Sequence, residues 1–256
     1  MSAEIWNATI MAAFGGLVGS FLNVCITRLP AEQSVVTPRS RCPRCEKMIV
    51  WYDNVPVVSW LLLRGRCRNC REPISPMYPA IELVTASAWA WFGWQYGAGL
   101  LALEGAVFLT LLIGIAMTDA REYIIPDEFS IGGLVFGLLF SVVGGVPSVL
   151  QALLGAAVGL GLLWAVGAAG TWAFKEEAMG GGDIKMMAMV GAFVGWQGVL
   201  LTVFLGALAG AAVFLPVSLT GRKKLVPFGV FLAVGAAVTY LWGPEIIVWY
   251  RRFAGL

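Results

Sequence analysis

The chain has 256 residues, of which 59% are hydrophobic and only 12% are charged, and its mean hydropathy is +0.82. A soluble domain usually carries about a quarter charged residues, so this composition excludes an ordinary water-soluble protein and predicts a chain that faces lipid. The sequence contains no histidine, which excludes a Ser–His dyad and a His-Glu-x-x-His zinc peptidase and leaves acid–base chemistry to carboxylates, Lys, Tyr or Cys.

Apolar runs of helix length follow one another along the chain and predict an all-α polytopic membrane protein with about eight transmembrane helices. The first run has only Glu4 before it and no basic residue, so we expect a retained span and not a cleaved signal peptide. The sixth run is short and carries Gly191 and Gly195, so it is either a partial span or shares its length with the next run. The runs cover residues 6–27, 79–97, 99–118, 130–147, 149–174, 184–196, 197–219 and 228–249.

Basic residues concentrate after the first run, where nine of the 17 Lys and Arg residues lie between Arg28 and Arg71. Because positively charged loops stay in the cytoplasm, we expect residues 29–78 to be inside and the N-terminus outside. This orientation leaves only Arg251 and Arg252 on the outer side. The predicted domains are a first transmembrane helix at 1–28, a cytoplasmic domain at 29–78 and a transmembrane helical bundle at 79–256.

The predicted cytoplasmic domain contains two Cys-x-x-Cys pairs separated by 21 residues, Cys42 and Cys45, then Cys67 and Cys70. Four cysteines at about this spacing are typical of a structural zinc site, in which thiolates form a closed tetrahedron around the ion. The alternative is a pair of disulfides, which a reducing cytosol disfavours. Cys25 stands alone in the first run and is interpreted as a packing residue.

The sequence has four aspartates, and two of them, Asp119 and Asp183, stand at the ends of apolar runs on the predicted inner face of the membrane. An ionised carboxylate at membrane depth is costly unless it faces a cavity or a partner. Two carboxyl groups that meet share one proton, so that one activates a water molecule while the other donates to a scissile carbonyl. Asp119 and Asp183 are therefore the candidate catalytic residues of an intramembrane aspartyl peptidase.

Three glycines, Gly180, Gly181 and Gly182, precede Asp183 directly. Glycines free the backbone for close approach, so we expect them to admit and position an extended substrate strand. The alternative is that Asp119 and Asp183 only cap helix ends, a position that Asp favours. We interpret Asp127, which follows Pro126 just before the fourth run, as a helix cap and not as a catalyst.

At these positions the chain resembles the bacterial type IV prepilin peptidases, the leader peptidase/N-methyltransferases with a GxGD motif. The resemblance covers nearly the whole chain. Asp119 matches the first aspartate of a D-x6-P-D stretch, and Val230 stands where the final family motif usually has Pro. The matching segments are GSFLNVCITRLP at 19–30, the cysteine segment from RCPRC to ISPMYPAIEL at 41–83, GGGD at 180–183 and VPFGVFLA at 226–233.

The resemblance implies two activities in the bacterial inner membrane. One cuts the basic leader from prepilins or pseudopilins at the cytoplasmic face, and the other methylates the new N-terminal amine with S-adenosylmethionine. The methyltransferase activity rests on the resemblance alone, because the sequence shows no Gly-rich dinucleotide loop. Glu82 and the 28–78 loop are candidates for binding the methyl donor. The expected partners are prepilins and the lipid bilayer, with no nucleic acid.

Two other functions fit part of the sequence. An ion- or proton-coupled transporter would use Asp119 and Asp183 as a relay, but it leaves the cysteine pairs unexplained and predicts carboxylates nearer the bilayer centre. A non-catalytic assembly factor would dock partners through a zinc ribbon, but it leaves the GGGD segment unexplained. The peptidase accounts for both features.

Overall fold

The computed structural model describes residues 2–176, 178–218 and 227–255, and every regular element in these ranges is helical. Short 3-10 turns lie at Leu29–Ala31 and Trp51–Asp53. The all-α expectation is therefore confirmed for the described part of the chain. The α-helices are α1 (Ala3–Arg28), α2 (Val58–Leu62), α3 (Met77–Tyr96), α4 (Leu100–Glu122), α5 (Asp127–Val142), α6 (Val149–Phe174), α7 (Gly181–Ser218) and α8 (Phe228–Ala254).

Within the described residues, five helical segments are long and apolar enough to cross a bilayer, at Ala3–Ala31, Leu100–Glu122, Val149–Phe174, Gly181–Leu215 and Phe228–Ala254. The protein is thus a multi-pass membrane protein. Helix α5 has 16 residues, about 24 Å at 1.5 Å per residue, and is shorter than a hydrocarbon core of about 30 Å. The expectation of about eight membrane helices stays a prediction, as does the expected topology.

The chain divides by its internal contacts into two units, Met1–Gly114 and Ile115–Leu256, and the boundary falls inside α4. In the first unit α1 packs on α3 through glycines spaced four apart. A Cβ at Gly15 would lie 2.6 Å from the Cβ of Trp89, and one at Gly19 would lie 2.9 Å from the Cα of Glu82. Only residues without a side chain permit this approach, as is common where membrane helices pack tightly.

In the second unit α7 packs against α5, α6 and α8. A Cβ at Gly155 of α6 would collide with the carbonyl oxygen of Gly191, whereas one at Gly161 would meet nothing within 4 Å. The backbone of α7 leaves helical geometry at Gly195, with φ 69° and ψ 175°. The sixth and seventh apolar runs are therefore the two halves of one kinked helical segment, and glycine supplies the left-handed φ at the kink.

Some sequence features used above lie outside the described residues. These are Val226 of the last motif, residue 219 at the end of the seventh run, and the basic residues that the predicted orientation places on the inner side, Arg222, Lys223 and Lys224. The orientation predicted from the distribution of Lys and Arg therefore stays a prediction.

Candidate functional site

Asp119 lies in the last turn of α4, where its side chain is buried with 6% of the residue exposed. Its carboxylate accepts a hydrogen bond from the backbone N–H of Val230 at 3.0 Å and another from that of Gly229. Both donors belong to the first turn of α8, whose N–H groups have no partner inside their own helix. The carboxylate thus occupies the positive end of the α8 dipole, which holds it in one orientation.

Asp183 lies in the first turn of α7 and is near enough to Asp119 for the two carboxyl groups to interact electrostatically. Its Oδ1 is buried and has no hydrogen-bond partner among the described residues. A buried carboxylate oxygen without a partner is costly in a purely structural role. The structure therefore brings the two sequence-predicted aspartates into one site and leaves an acceptor of Asp183 available to a ligand.

Ile125 lies beside two glycines, one next to each of the two aspartates. A Cβ at Gly229 would lie 2.9 Å from both Asp119 Oδ2 and Ile125 Cδ1. A Cβ at Gly182 would lie 3.0 Å from the Cβ of the same isoleucine. Two glycines on different helices thus make room for one buried side chain, and this packing sets the distance between the last turn of α4 and the first turn of α7.

Asp127 does not have the capping role that we expected from the sequence. It is the first residue of α5, whereas Pro126 occupies the N-cap position, and no side chain caps that helix end. The Asp127 carboxylate instead pairs with Lys185 of α7, with Nζ at 2.8 and 2.9 Å from its two oxygens. A carboxylate in the first turn still interacts well with the helix dipole, but its hydrogen bonds join α5 to the segment that carries Asp183.

Replacing Gly229 by Ala is expected to reduce the activity of this site by about 10²-fold, because the new methyl group would displace the Asp119 carboxylate. The matched control is Gly161→Ala, where the added Cβ meets nothing within 4 Å. The measurement is the cleavage rate of both purified variants alongside their thermal stability. A Gly229→Ala rate equal to that of the control would show that the α8 terminus does not position Asp119.

The four cysteines lie on two turns that have the same backbone hydrogen bonds. Each residue of the second turn comes 25 positions after its equivalent in the first. In the first, the Cys42 N–H bonds the Lys47 carbonyl at 3.0 Å and the Glu46 N–H bonds the Cys42 carbonyl at 2.9 Å. In the second, the Cys67 N–H bonds the Glu72 carbonyl at 2.9 Å and the Arg71 N–H bonds the Cys67 carbonyl at 3.0 Å. Each turn therefore presents its two thiols from a rigid backbone loop, as structural metal sites require.

All four sulfur atoms lie within 4.8 Å of one another, and Cys42, Cys45, Cys67 and Cys70 form no disulfide. The Sγ atoms of Cys42 and Cys70 are 3.8 Å apart, and those of Cys45 and Cys67 are 4.0 Å apart. Zn–S bonds of about 2.3 Å in a tetrahedron place sulfurs about 3.8 Å apart, so the donor set fits such an ion. The cluster can hold a metal ion, as its spacing predicted.

Electrostatics at the cluster also favour a cation. The backbone N–H groups of Cys70 and Asn69 donate to the Cys67 sulfur and lower the pKa of its thiol to about 7. At Cys70 the N–H of Glu72 lowers the pKa, but burial and the neighbouring thiols outweigh it and raise the pKa to about 12. A central cation would relieve this competition, because it stabilises all four thiolates together.

Glu82 is buried in α3, and its Oε2 accepts a hydrogen bond from the Val57 N–H at 2.7 Å. Val57 precedes α2 and has a left-handed φ of 60°, which a non-glycine residue rarely adopts. The carboxylate therefore anchors an unusual turn of the cysteine segment. Asp53, near the same turn, pairs with the guanidinium of Arg68 at 2.7 and 2.5 Å.

Family models match most of the chain. Residues 13–96 match the bacterial peptidase A24 N-terminal domain, and residues 106–215 match the type IV leader peptidase family. The chain belongs to this family. The resemblance found in the sequence motifs is thus confirmed, and the second match contains Asp119, Asp183 and the three glycines before Asp183.

Three curated relatives that carry the name prepilin leader peptidase/N-methyltransferase are similar over nearly their whole length. The protein of Aeromonas hydrophila is 34% identical over 94% of this chain and 93% of its own. That of Stutzerimonas stutzeri is 37% identical over 94% of this chain and 93% of its own. That of Bacillus subtilis is 37% identical over 96% of this chain and 98% of its own. No solved structure matches the chain.

Sequence reasoning missed the residues that surround the aspartates in this leader peptidase family member. Ile125 and Lys185 carry no chemical signature of their own, so no pattern pointed to them. The segment from 226 onward did attract attention as a motif, but its role as a donor of N–H groups to Asp119 became visible only in the structure. Val230, in place of the usual Pro, also matters for this contact, because a Pro has no backbone N–H to donate to Asp119.

Proposed function

We propose that Asp119 and Asp183 are the catalytic pair of a leader peptidase that hydrolyses the bond between a prepilin leader and the apolar helix that follows it. The observation that carries this proposal is that the buried carboxyl group of Asp119 and the half-buried one of Asp183 lie near enough to interact, both at helix ends, in a member of the type IV leader peptidase family. The relatives bear names for exactly two activities, leader cleavage and N-methylation, and this chain is a peptidase that is also a methyltransferase.

The chemistry follows from two carboxyl groups that share one proton. The ionised one removes a proton from water as the water attacks the scissile carbonyl carbon, and the protonated one donates to the carbonyl oxygen. The tetrahedral intermediate then returns that second proton as the C–N bond breaks, and the carboxyl group that took the proton from water delivers it to the leaving amine. The hydrogen bonds from the α8 terminus hold Asp119 still during this exchange. Asp183 Oδ1 is buried and has no protein partner among the described residues, so it can accept a hydrogen bond from water or from the substrate.

The experiment that tests the function is incubation of the purified chain with a prepilin and S-adenosylmethionine, followed by mass analysis of both products. We expect a released leader peptide and a mature protein that is one methyl group heavier than cleavage alone would give. An uncleaved prepilin under conditions in which a relative from Aeromonas hydrophila cleaves it would contradict the proposal.

Zinc is the metal that best suits the four cysteines, since thiolate tetrahedra of this size are typical of structural zinc. The ion would hold the two turns together and would supply no catalytic step. S-adenosylmethionine supplies the methyl group, and Glu82 stays our candidate for its binding, because a buried carboxylate can bond hydroxyl or ammonium groups. One oxygen of that carboxylate is already held by Val57.

The protein would lie in the bacterial cytoplasmic membrane with its N-terminus outside and with the cysteine domain and both aspartates at the cytoplasmic face. The distribution of Lys and Arg supports this orientation. A site at helix ends also suits a substrate whose basic leader is in water while its apolar helix lies in the bilayer. A proton-coupled transporter is not favoured, because neither the family nor its curated relatives bear such a name.

The glycines before Asp183 divide into two roles, which separate variants can test. A Cβ at Gly181 would meet no described atom within 4 Å, so a side chain there would enter the space proposed for the substrate. Gly181→Val should therefore reduce cleavage by about tenfold or more, mainly by raising KM, without loss of thermal stability.

Gly132→Val is the matched control for this variant, because a Cβ at Gly132 also meets nothing within 4 Å. Normal cleavage by Gly181→Val would contradict the proposed substrate path. It would leave the glycine run with only the packing role of Gly182, whose added Cβ would press on Ile125 at 3.0 Å.

A further inference from the structure

A cavity of about 500 Å³ lies beside α1, between that helix and the loop that carries the first cysteine pair. Its helical wall consists of Leu17, Phe21 and Val24. Leu17 is 58% exposed and Phe21 is 53% exposed, because the opposite face of α1 is the one that packs on α3. Since α1 is long and apolar enough to span a bilayer, this wall belongs to the surface that lipid covers.

The loop contributes a second apolar wall, which includes Val36, Trp51 and Val55. Val36 is 79% exposed and Trp51 is 74% exposed, although both lie in a segment that the sequence places in water. Exposed apolar side chains that form one continuous patch indicate a binding surface, whereas single exposed apolar residues are common on any protein. Tryptophan in particular favours the boundary between the polar headgroups and the apolar core of a membrane.

Two arginines line the same cavity. Arg28 is the last residue of α1, and its guanidinium donates to the carbonyl oxygens of Ser34 at 2.9 Å and Pro38 at 2.8 Å. Arg39 is the residue after Pro38, and it is exposed. None of the residues that line the cavity, all of them described, is Asp or Glu. The cavity therefore combines apolar walls with a positive end that none of its lining residues neutralises.

We propose that this cavity binds an anionic phospholipid, with its phosphate at Arg28 and Arg39 and an acyl chain along Leu17, Phe21 and Val24. Basic pockets at the ends of membrane helices favour such headgroups over zwitterionic ones. The two other ligands that this enzyme handles fit poorly. S-adenosylmethionine has a net positive charge, because its sulfonium and ammonium groups outnumber its one carboxylate, and a prepilin leader is basic, so the two arginines disfavour both. A bound lipid would fasten the cysteine segment to the bilayer beside α1.

The test is native mass spectrometry of the full chain in detergent, titrated with phosphatidylglycerol or with phosphatidylcholine of identical acyl chains. Wild type is expected to bind one phosphatidylglycerol at least about tenfold more tightly, since each nearby cation contributes roughly fivefold. Arg39→Gln should lower this preference about fivefold. Arg251→Gln removes the same charge from a residue that does not line the cavity, and it should leave the preference unchanged.

A second variant tests the cavity by volume instead of charge. Ser20 of α1 lines the cavity, so the larger side chain in Ser20→Trp should occupy the space beside the apolar wall. Binding of both lipids should weaken by about tenfold or more. The metal content read from the same spectra shows whether the cysteine segment remains folded in each variant. Equal binding of the two lipids by wild type, or an unchanged preference in Arg39→Gln, would overturn the proposal. Displacement of phosphatidylglycerol by S-adenosylmethionine would also overturn it and would assign the cavity to the methyl donor.

Discussion

Replacing either Asp119 or Asp183 by Asn is expected to reduce leader cleavage by about 10³-fold or more. An amide keeps the size of the side chain but can neither take a proton from water nor deliver one to the carbonyl oxygen. Because both carboxyl groups lie in one site and act as a unit, each single variant should lose as much activity as the double variant. The measurement is the rate of leader release from a purified prepilin, with each variant confirmed to be inserted and folded.

Asp127→Asn is the matched control, since it makes the same chemical change at a carboxylate outside the proposed catalytic pair. The Asp127–Lys185 ion pair is largely exposed, with the two side chains 55% and 45% accessible, so its loss should cost at most about 1 kcal/mol of stability. This variant should therefore retain most of the cleavage activity. Near-normal processing by Asp119→Asn or Asp183→Asn would refute the aspartyl assignment.

Replacing Cys67 by Ser is expected to lower the zinc content from about one ion per chain to nearly none. A closed structural site needs all four thiolates, and a hydroxyl does not ionise near neutral pH. Cys67 is the most informative position, because the N–H groups of Cys70 and Asn69 already lower the pKa of its thiol to about 7. Metal analysis after purification without chelator provides the measurement, and the two turns should become more accessible to protease.

The control for the metal prediction is Cys25→Ser, which removes a thiol from α1 and not from the cluster. Its zinc content should equal that of wild type. A full zinc complement in Cys67→Ser, or disulfides joining Cys42 to Cys45 and Cys67 to Cys70 in a freshly reduced sample, would contradict the zinc site. Cleavage can be measured on the same samples, since Asp119 and Asp183 belong to the other unit of the chain.

The positions of the chemically distinctive residues could be predicted from the sequence because their signals are local. The low fraction of charged residues indicates a lipid environment wherever the helices lie. Paired cysteines in short turns present two sulfurs each, so the cluster needed only the two turns to meet. The placement of Asp119 and Asp183 at helix ends likewise followed from where apolar runs stop and start.

The sequence by itself thus determined the class of protein, the four cysteines that can hold a metal ion and the two aspartates of the candidate site. Only the tertiary structure decided what holds those aspartates, because the contacts join distant segments. Val230 donates to Asp119 across 111 residues, and Asp127 meets Lys185 across 58. Side-chain periodicity specifies which residues share a helix face, but not which face of another helix it meets. That choice depends on glycines such as Gly182 and Gly229, whose missing side chains matter only once Ile125 is in place between them.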